Sequence, residues 1–343
     1  MYRKILNCTC VETEDGNIFR TLLDFQIPST AVSYLKYYPS PNGTRTKENQ
    51  SYSKFRNLID GQDYVKSKLK SHWVNNSQLQ SSVMIPGNHI VRIYNPIDVM
   101  HELFNKPDKN SLEVKICQLV KLISKKCEIS LNKIGISGSN LVGLSDLSAD
   151  SDIDLLVYGR ESTLRLIDHL EELKEYGFVH YSDETRDKLI PRRQPATIDG
   201  FSQEVALTNE YTKTSGRFFD IHVNISPIRE VEADLPEIFR AKVLQKYGFC
   251  IVKANILDNS EAIFVPPVYK IKVLEVLEGS LVVSDVKYVV GSRFLHAQVG
   301  EKDHNLIFAG ILEKRLLEDK EVFDISLEPW ETVKGFITPI QGE

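Results

Sequence analysis

The sequence predicts an α+β protein in three parts: a small N-terminal α+β unit over 1–108, a central mixed sheet with helices over 109–262, and a β-rich, barrel-like part over 263–343. Three observations carry that reading. The middle of the chain alternates helical and strand-like hydrophobic periods, the end holds only short strand-like runs, and one central strand candidate bears two aspartates two positions apart. The 343 residues exceed the usual size of one domain, and 42% hydrophobic with 26% charged side chains is ordinary for a globular chain.

Taken in order, Ile5 to Trp73 mixes short apolar and aromatic segments with turn signals such as Glu14-Asp15-Gly16 and Pro39-Ser40-Pro41-Asn42-Gly43. Ser81 to Pro107 reads as mostly irregular or extended, with Pro86-Gly87 and Asn95-Pro96 as punctuation. A helix follows: Leu112, Ile116, Leu119, Val120 and Ile123 recur at helical spacing, and Asn110 with Glu113 fits a capping box. Ile134–Ile136, Ile153–Val157 and Phe218–Val223 read as strands. Thr163–Tyr176 reads as a helix with Ser162 as cap and Gly177 as stop, and Leu235–Tyr247 as another, ending at Gly248. Beyond Val265, the runs Tyr269–Leu277, Leu281–Val290, Phe294–Val299 and Leu306–Leu312 suit a small barrel or sandwich, with an oligonucleotide-binding barrel as one option.

Bulk properties exclude some classes. A net charge of -5 and a pI near 6.0 give no whole-chain basic footprint, so any polyanion site is local. No apolar run approaches the roughly 20 residues of a membrane span, and Met1 to Leu6 lacks the apolar core of a signal peptide, so the expectation is a cytoplasmic protein with no membrane partner. The five cysteines are scattered. Cys8 and Cys10 would share a strand face, but no second pair or nearby histidine completes four zinc ligands.

The stretch that carries chemistry is Ile136-Ser137-Gly138-Ser139-Asn140-Leu141, followed after a polar loop by Ser151-Asp152-Ile153-Asp154-Leu155-Leu156-Val157. On a strand, Asp152 and Asp154 point the same way while Ile153 and Leu155 anchor the other face. Two converging carboxylates repel and suit a hard cation with oxygen ligands. Gly138 and Ser139 follow a strand and precede a helix-compatible segment, where backbone N–H groups can hold phosphate oxygens.

These residues resemble the nucleotidyltransferase superfamily of DNA polymerase beta, whose signature is a Gly-Ser turn, a spacer and an Asp-hydrophobic-Asp strand. Gly138, Ser139, Asp152 and Asp154 match in order, with a spacer a little longer than the family's commonest form. The sequence looks most like predicted archaeal nucleotidyltransferases, which have an N-terminal extension rich in Tyr, Lys and Arg. The resemblance covers roughly residues 110–228. It implies a polymerase-beta-like central domain, a third carboxylate for which Asp220 is the best match, Mg2+ or Mn2+, two ions in number, held by Asp152, Asp154 and Asp220, and transfer of a nucleoside monophosphate from a nucleoside triphosphate (NTP) to a hydroxyl. RNA or DNA is the favoured acceptor, with a small molecule such as an aminoglycoside or a protein hydroxyl also open; a binding module of the same fold that has lost catalysis is the alternative, and a non-enzymatic β-rich adaptor with a structural Asp pair is the third reading.

Further candidates surround this core. Ser137 and Asn140 either bind phosphate or cap the following helix, and Ser151 hydrogen-bonds locally or supports the ligands. His222 and Asn224 share the Asp220 face, and His222 contacts substrate or metal or is simply hydrogen-bonded near the sheet edge. Asp183, Asp187 and Asp199 lie in polar loop text and compete less well with Asp220. Arg186, Lys188, Arg192 and Arg193 occupy a loop where phosphate can be gripped bidentately, with a solvated loop as the other reading. Tyr34, Lys36, Tyr37, Tyr38, Arg45, Tyr52, Lys54 and Arg56 interleave aromatic and basic groups, as a nucleic-acid surface does and as an aromatic core with snorkelling lysines also does.

Overall fold

In a computed structural model of the chain, residues 7–22, 29–55, 58–76, 80–144, 152–180, 214–230, 235–291, 296–327 and 335–340 are described. They form a mixed α+β, strand-rich protein with five α-helices. Their contacts divide them into two compact units, one of described residues up to 180 together with 214–230, the other of described residues from 235 onward.

The first unit contains two sheets. The N-terminal sheet comprises β1 (Cys10–Thr13), β2 (Ile18–Thr21), β3 (Thr30–Pro39), β4 (Arg45–Lys47), β5 (Gln50–Lys54), β6 (Trp73–Asn76), β7 (Gln80–Pro86) and β8 (Ile90–Tyr94), with the helix α1 (Leu58–Lys68) after β5. Its main path is β4-β5-β3-β2-β1-β8, and β7 joins β6 to β3. Alternation along the strands makes both faces apolar: Val11, Phe19, Leu35, Val83 and Ile85 pack with Val65 of α1 on one side. On the other side Cys10, Ile18, Tyr37, Tyr52 and Tyr94 join Met100, Ile116, Leu119, Ile134 and Ile153 in the largest core. That core runs without interruption across the loop at 106–110.

Two helices lead into the second sheet. The segment after Asn95, expected to be irregular, is α2 (Pro96–Asn105). Asn95 accepts from the Ile97 and Asp98 amides and Pro96 takes the first helical position, so Asn-Pro is here a helix start. α3 (Ser111–Lys126) carries the expected capping box, Asn110 accepting from the Glu113 amide while Glu113 accepts from the Asn110 amide, both at 2.9 Å. The central strands are β9 (Ile134–Ile136), β10 (Ile153–Tyr158), β11 (Phe178–His180), β12 (Ser215–Phe218) and β13 (Ile221–Ile228), in the order β11-β12-β13-β10-β9. Only β10 and β13 run parallel; the other neighbours are antiparallel. The short α4 (Gly138–Leu141) follows β9. α5 (Arg160–His169) follows β10 and continues through a 3-10 turn, Glu172–Tyr176, that stops at left-handed Gly177. Its N-cap is Gly159 rather than the expected Ser162.

In the second unit the helix expected over Leu235–Tyr247 is a 3-10 turn, Glu237–Arg240, running into the long strand β14 (Lys242–Glu261). β15 (Val268–Glu278), β16 (Val286–Val290), β17 (Asn305–Leu317), β18 (Lys320–Ser326) and β19 (Phe336–Pro339) complete the sheet. The sheet curls back on itself, because β14 pairs with β15 along its second part and with β17 along its first. Neighbour order therefore runs β14-β15-β16-β18-β17-β14, with β16 and β18 parallel and β19 on the free side of β17. Cys250, Val252, Ala254, Tyr269, Val289, Phe308 and Ile325 fill the interior. Of the expected run Phe294–Val299, the described part is a turn, and Phe294 lies outside the described residues.

Among the described residues, no helix is long and apolar enough to cross a membrane. All five cysteines are buried free thiols.

Candidate functional site

β10 places Ile153 and Leu155 fully in the core, so its alternate residues point away from it. Asp152, just ahead of the strand, is exposed and Asp154 is half-buried. Gly138 is built against that carboxylate. Its φ is +66°, and a Cβ added there would lie 2.1 Å from Asp154 Oδ2, so any side chain would strain the turn and displace that carboxylate. The Ser137 amide donates to the Asp154 carbonyl at 2.8 Å, which ties the turn to β10. Asn140 fastens it again, its Nδ2 donating to the Asp152 carbonyl at 3.1 Å. Ser139 is half-buried within this turn, its carbonyl accepting from the Leu144 amide at 2.9 Å.

The parallel neighbour supplies the next polar group. Register sets Asn224 beside Asp154 and Val223 beside Ile153, so His222 stands one step earlier, level with Asp152. Asn224 Nδ2 donates to Asp154 Oδ1 at 3.3 Å, and Asn224 Oδ1 accepts from Ser215 Oγ at 3.1 Å. The asparagine amide is thereby oriented toward the carboxylate from behind.

Asp220 is not brought to this pair. The segment expected as one strand, Phe218–Val223, is the end of β12, a two-residue turn and the start of β13, closed by the Phe218–Ile221 pair. Phe219 takes a left-handed φ of 55°, a turn backbone that usually goes to glycine or asparagine. Asp220 at the exposed tip accepts from Lys115 Nζ at 2.6 Å, and its carbonyl accepts from Arg217 Nη2 at 2.6 Å. The Lys115 hydrogen bond is the leading cause that holds the Asp220 carboxyl below its ordinary value. Among the described residues, no group of three or more His, Cys, Asp or Glu side chains is arranged to hold a metal ion. Ser151, Arg192 and Arg193, together with Asp183, Arg186, Asp187, Lys188, Asp199 and Arg56, lie outside the described residues.

A second set of groups reaches the Asp pair from the N-terminal sheet. Tyr37, in the shared core, pairs with Lys54 across β3 and β5, and Tyr52, also in that core, pairs with Arg45 across β4 and β5. Paired residues share a face, so Arg45 and Lys54 point to the side of the central sheet. At Lys36 the register slips: Ile18 faces Tyr37 while Phe19 faces Leu35, leaving Lys36 as the extra residue of a bulge. Arg45 Nη1 donates to the Leu144 carbonyl at 2.6 Å, fixing the far end of the Gly138 turn. Lys54 keeps solvent-exposed surface, yet burial of its ammonium, with repulsion from Lys36 and Arg45, pushes its pKa down to about 8 against the pull of Asp154 and Asp152. These causes connect Lys54 electrically with both aspartates and with its cationic neighbours Lys36 and Arg45.

The aromatic residues of this segment divide between two roles. Tyr37 and Tyr52 are core, and Tyr38 stacks on Phe55 with ring centroids 4.6 Å apart, whereas Tyr34 keeps Lys36 Nζ 5.5 Å from its ring centre. Sequence spacing alone did not separate them. The bulge that sets the face of Lys36 is visible only in the strand pairing.

No family model matches the chain, and no curated protein or solved structure matches it either.

Proposed function

We propose that the protein is a nucleotidyltransferase that moves a nucleoside monophosphate from an NTP to a hydroxyl acceptor and releases pyrophosphate. The observation that carries this reading is the close fit of the Gly138 turn to Asp154. The Gly138 turn and the strand-borne carboxylate pair are built as one piece, a Cβ on Gly138 falling 2.1 Å from Asp154 Oδ2. Carboxylates that close to a glycine turn suit a divalent cation shared with substrate phosphates.

The residues fit one such ion. Magnesium commonly takes one or two carboxylates and completes its shell with phosphate oxygens and water, which Asp152 and Asp154 permit. The ion, Mg2+ or Mn2+, would neutralise phosphate charge and acidify the attacking hydroxyl. A second ion, expected from the resemblance, needs another ligand; Asp220 in its hairpin is bonded to Lys115 instead. This chain's own residues do the rest. The Ser139 and Asn140 amides hold the phosphate tail, Asn224 orients Asp154, and His222 stands level with Asp152, within reach of a substrate bound there.

A nucleic-acid end is the acceptor favoured. In support, the second unit's strands close in first, second, third, fifth, fourth order with the third and fifth parallel, the Greek-key arrangement of oligonucleotide-binding barrels. Architecture alone is an analogy, so the acceptor is chosen by experiment. Each α-phosphate-labelled NTP is incubated with Mg2+ or Mn2+ and with RNA, single-stranded DNA or a small-molecule extract, beside an Asp152→Asn/Asp154→Asn control. Label on one acceptor class, lost in the control, supports the reading. Metal-dependent NTP binding without any transfer favours a non-catalytic nucleotide-binding module, and absence of both removes the proposal.

A further inference from the structure

We infer that the N-terminal sheet supplies the cationic wall of the same site, Lys36 and Lys54 gripping the phosphate chain of the NTP opposite Asp152 and Asp154, with Arg45 as a positioning residue. This inference rests on the nucleotidyltransferase reading. It goes beyond it by assigning phosphate binding to a segment outside the Gly-Ser and Asp-X-Asp motifs.

Three independent observations lead there. Strand register puts Lys54 and Arg45 on the same face of the N-terminal sheet as their pairing partners Tyr37 and Tyr52, and Tyr37 and Lys54 on that face both lie in the field of the Asp154 carboxylate. The bulge at Lys36 breaks the simple alternation of β3, and Lys36 acts electrostatically on Cys10 and Lys54, which belong to that face. Arg45 is committed to the Leu144 carbonyl at 2.6 Å, so the sheet is fastened to the turn that begins at Gly138. Charge then selects the ligand. Lys54 acts on both aspartates and is itself repelled by Lys36 and Arg45, so three positive charges gather on one strand face beside a carboxylate pair that suits a divalent ion, and the sum calls for a multiply charged anion. Lys54 interacts with both aspartates, so an anion it grips also reaches whatever those aspartates hold. A triphosphate meets both demands at once, because its oxygens can bridge an ion and a lysine; a nucleic-acid backbone passes single phosphates.

The test is equilibrium binding by calorimetry with Mg2+, using inorganic tripolyphosphate, the four ribonucleoside triphosphates, adenosine, and a single-stranded oligoribonucleotide. Lys36→Ala, Lys54→Ala, Lys54→Arg and Asp152→Asn are compared with the wild type, each checked for an unchanged melting transition. The expected result is that each alanine variant weakens tripolyphosphate and NTP by about tenfold, as loss of one charge-assisted contact does. Lys54→Arg should recover most of the loss, and oligoribonucleotide binding should not change. If the alanine variants bind tripolyphosphate as the wild type does while Asp152→Asn abolishes metal-dependent NTP binding, the inference fails and the nucleotidyltransferase reading stands. Weakening confined to the oligoribonucleotide overturns it in favour of a nucleic-acid contact. A wild type that binds neither tripolyphosphate nor any NTP removes both proposals.

Discussion

Asp152 and Asp154 stand at the open end of β10, exposed and half-buried, while Asp324 of β18 is fully buried in the second unit. The first pair is served by neutral amides, Asn224 donating to the Asp154 carboxylate and Asn140 to the Asp152 carbonyl. Asp324 instead accepts from Arg315 Nε at 2.7 Å, and the same guanidinium donates to buried Glu313 at 2.6 Å. Burial outweighs Arg315 and pushes the Asp324 carboxyl up to about 7. Among the described residues its Oδ2 has no hydrogen-bond partner. The Asp324 carboxylate is thus matched to an arginine inside its sheet, whereas the Asp154 carboxylate is met by a neutral side-chain amide at a strand end.

The largest expected effect falls on the strand-end pair. Asp154→Asn should cost on the order of a thousandfold in nucleotidyl transfer with little change in melting temperature, measured as label moved per minute. A variant that keeps wild-type turnover would place the chemistry elsewhere. Gly138→Ala comes next, because a methyl group at φ +66° would press on Asp154 Oδ2. Transfer should fall by roughly a hundredfold while the overall fold is retained, a split read by circular dichroism beside kinetics.

In the barrel the expected effect is on stability and its pH dependence. Asp324 holds its proton more tightly folded than unfolded, since its pKa is raised from 3.8 to about 7. Between those values the folded state binds more protons, so the Asp324 contribution favours folding below the window and is lost as pH rises through about 7. Denaturant unfolding at pH 5 and pH 8 should show this at a slope of at most about 1.4 kcal/mol per pH unit. Asp324→Asn should flatten the difference, and an unchanged pH profile would mean that the carboxyl is ionised throughout.

The smallest effect is predicted at the hairpin tip. Asp220→Asn should change transfer less than about threefold and leave the melting transition in place, because the Lys115 pair is exposed. Complete loss of transfer with the fold intact would show that the hairpin rearranges to bring Asp220 to Asp152 and Asp154.

Local features were legible in the sequence where they depended on local chemistry. The Asn110–Glu113 box, the stop at Gly177 and the apolar anchoring of β10 follow from spacing alone. The Gly138 turn was legible too, though its contact with Asp154 was not. Asp220 to Val223 alternates polar and apolar as a strand does, and the Phe218-Phe219 doublet is not a turn signal by composition, so Asp220 was expected on a strand. Leu235 to Tyr247 has helix-forming residues, but pairing of Lys242–Asn255 with β17 prevails over that preference. The basic wall of Lys36 and Lys54 was hidden for a similar reason: a bulge and a cross-strand register decide which face each lysine takes.

The central claim is tested most directly by offering the accepted substrate the same NTP labelled once at the α-phosphate and once at the γ-phosphate, with Mg2+. Nucleotidyl transfer predicts α-label on the acceptor and γ-label in released pyrophosphate, both abolished by Asp152→Asn/Asp154→Asn. Appearance of γ-label on the acceptor, or transfer that survives the double substitution, would contradict it.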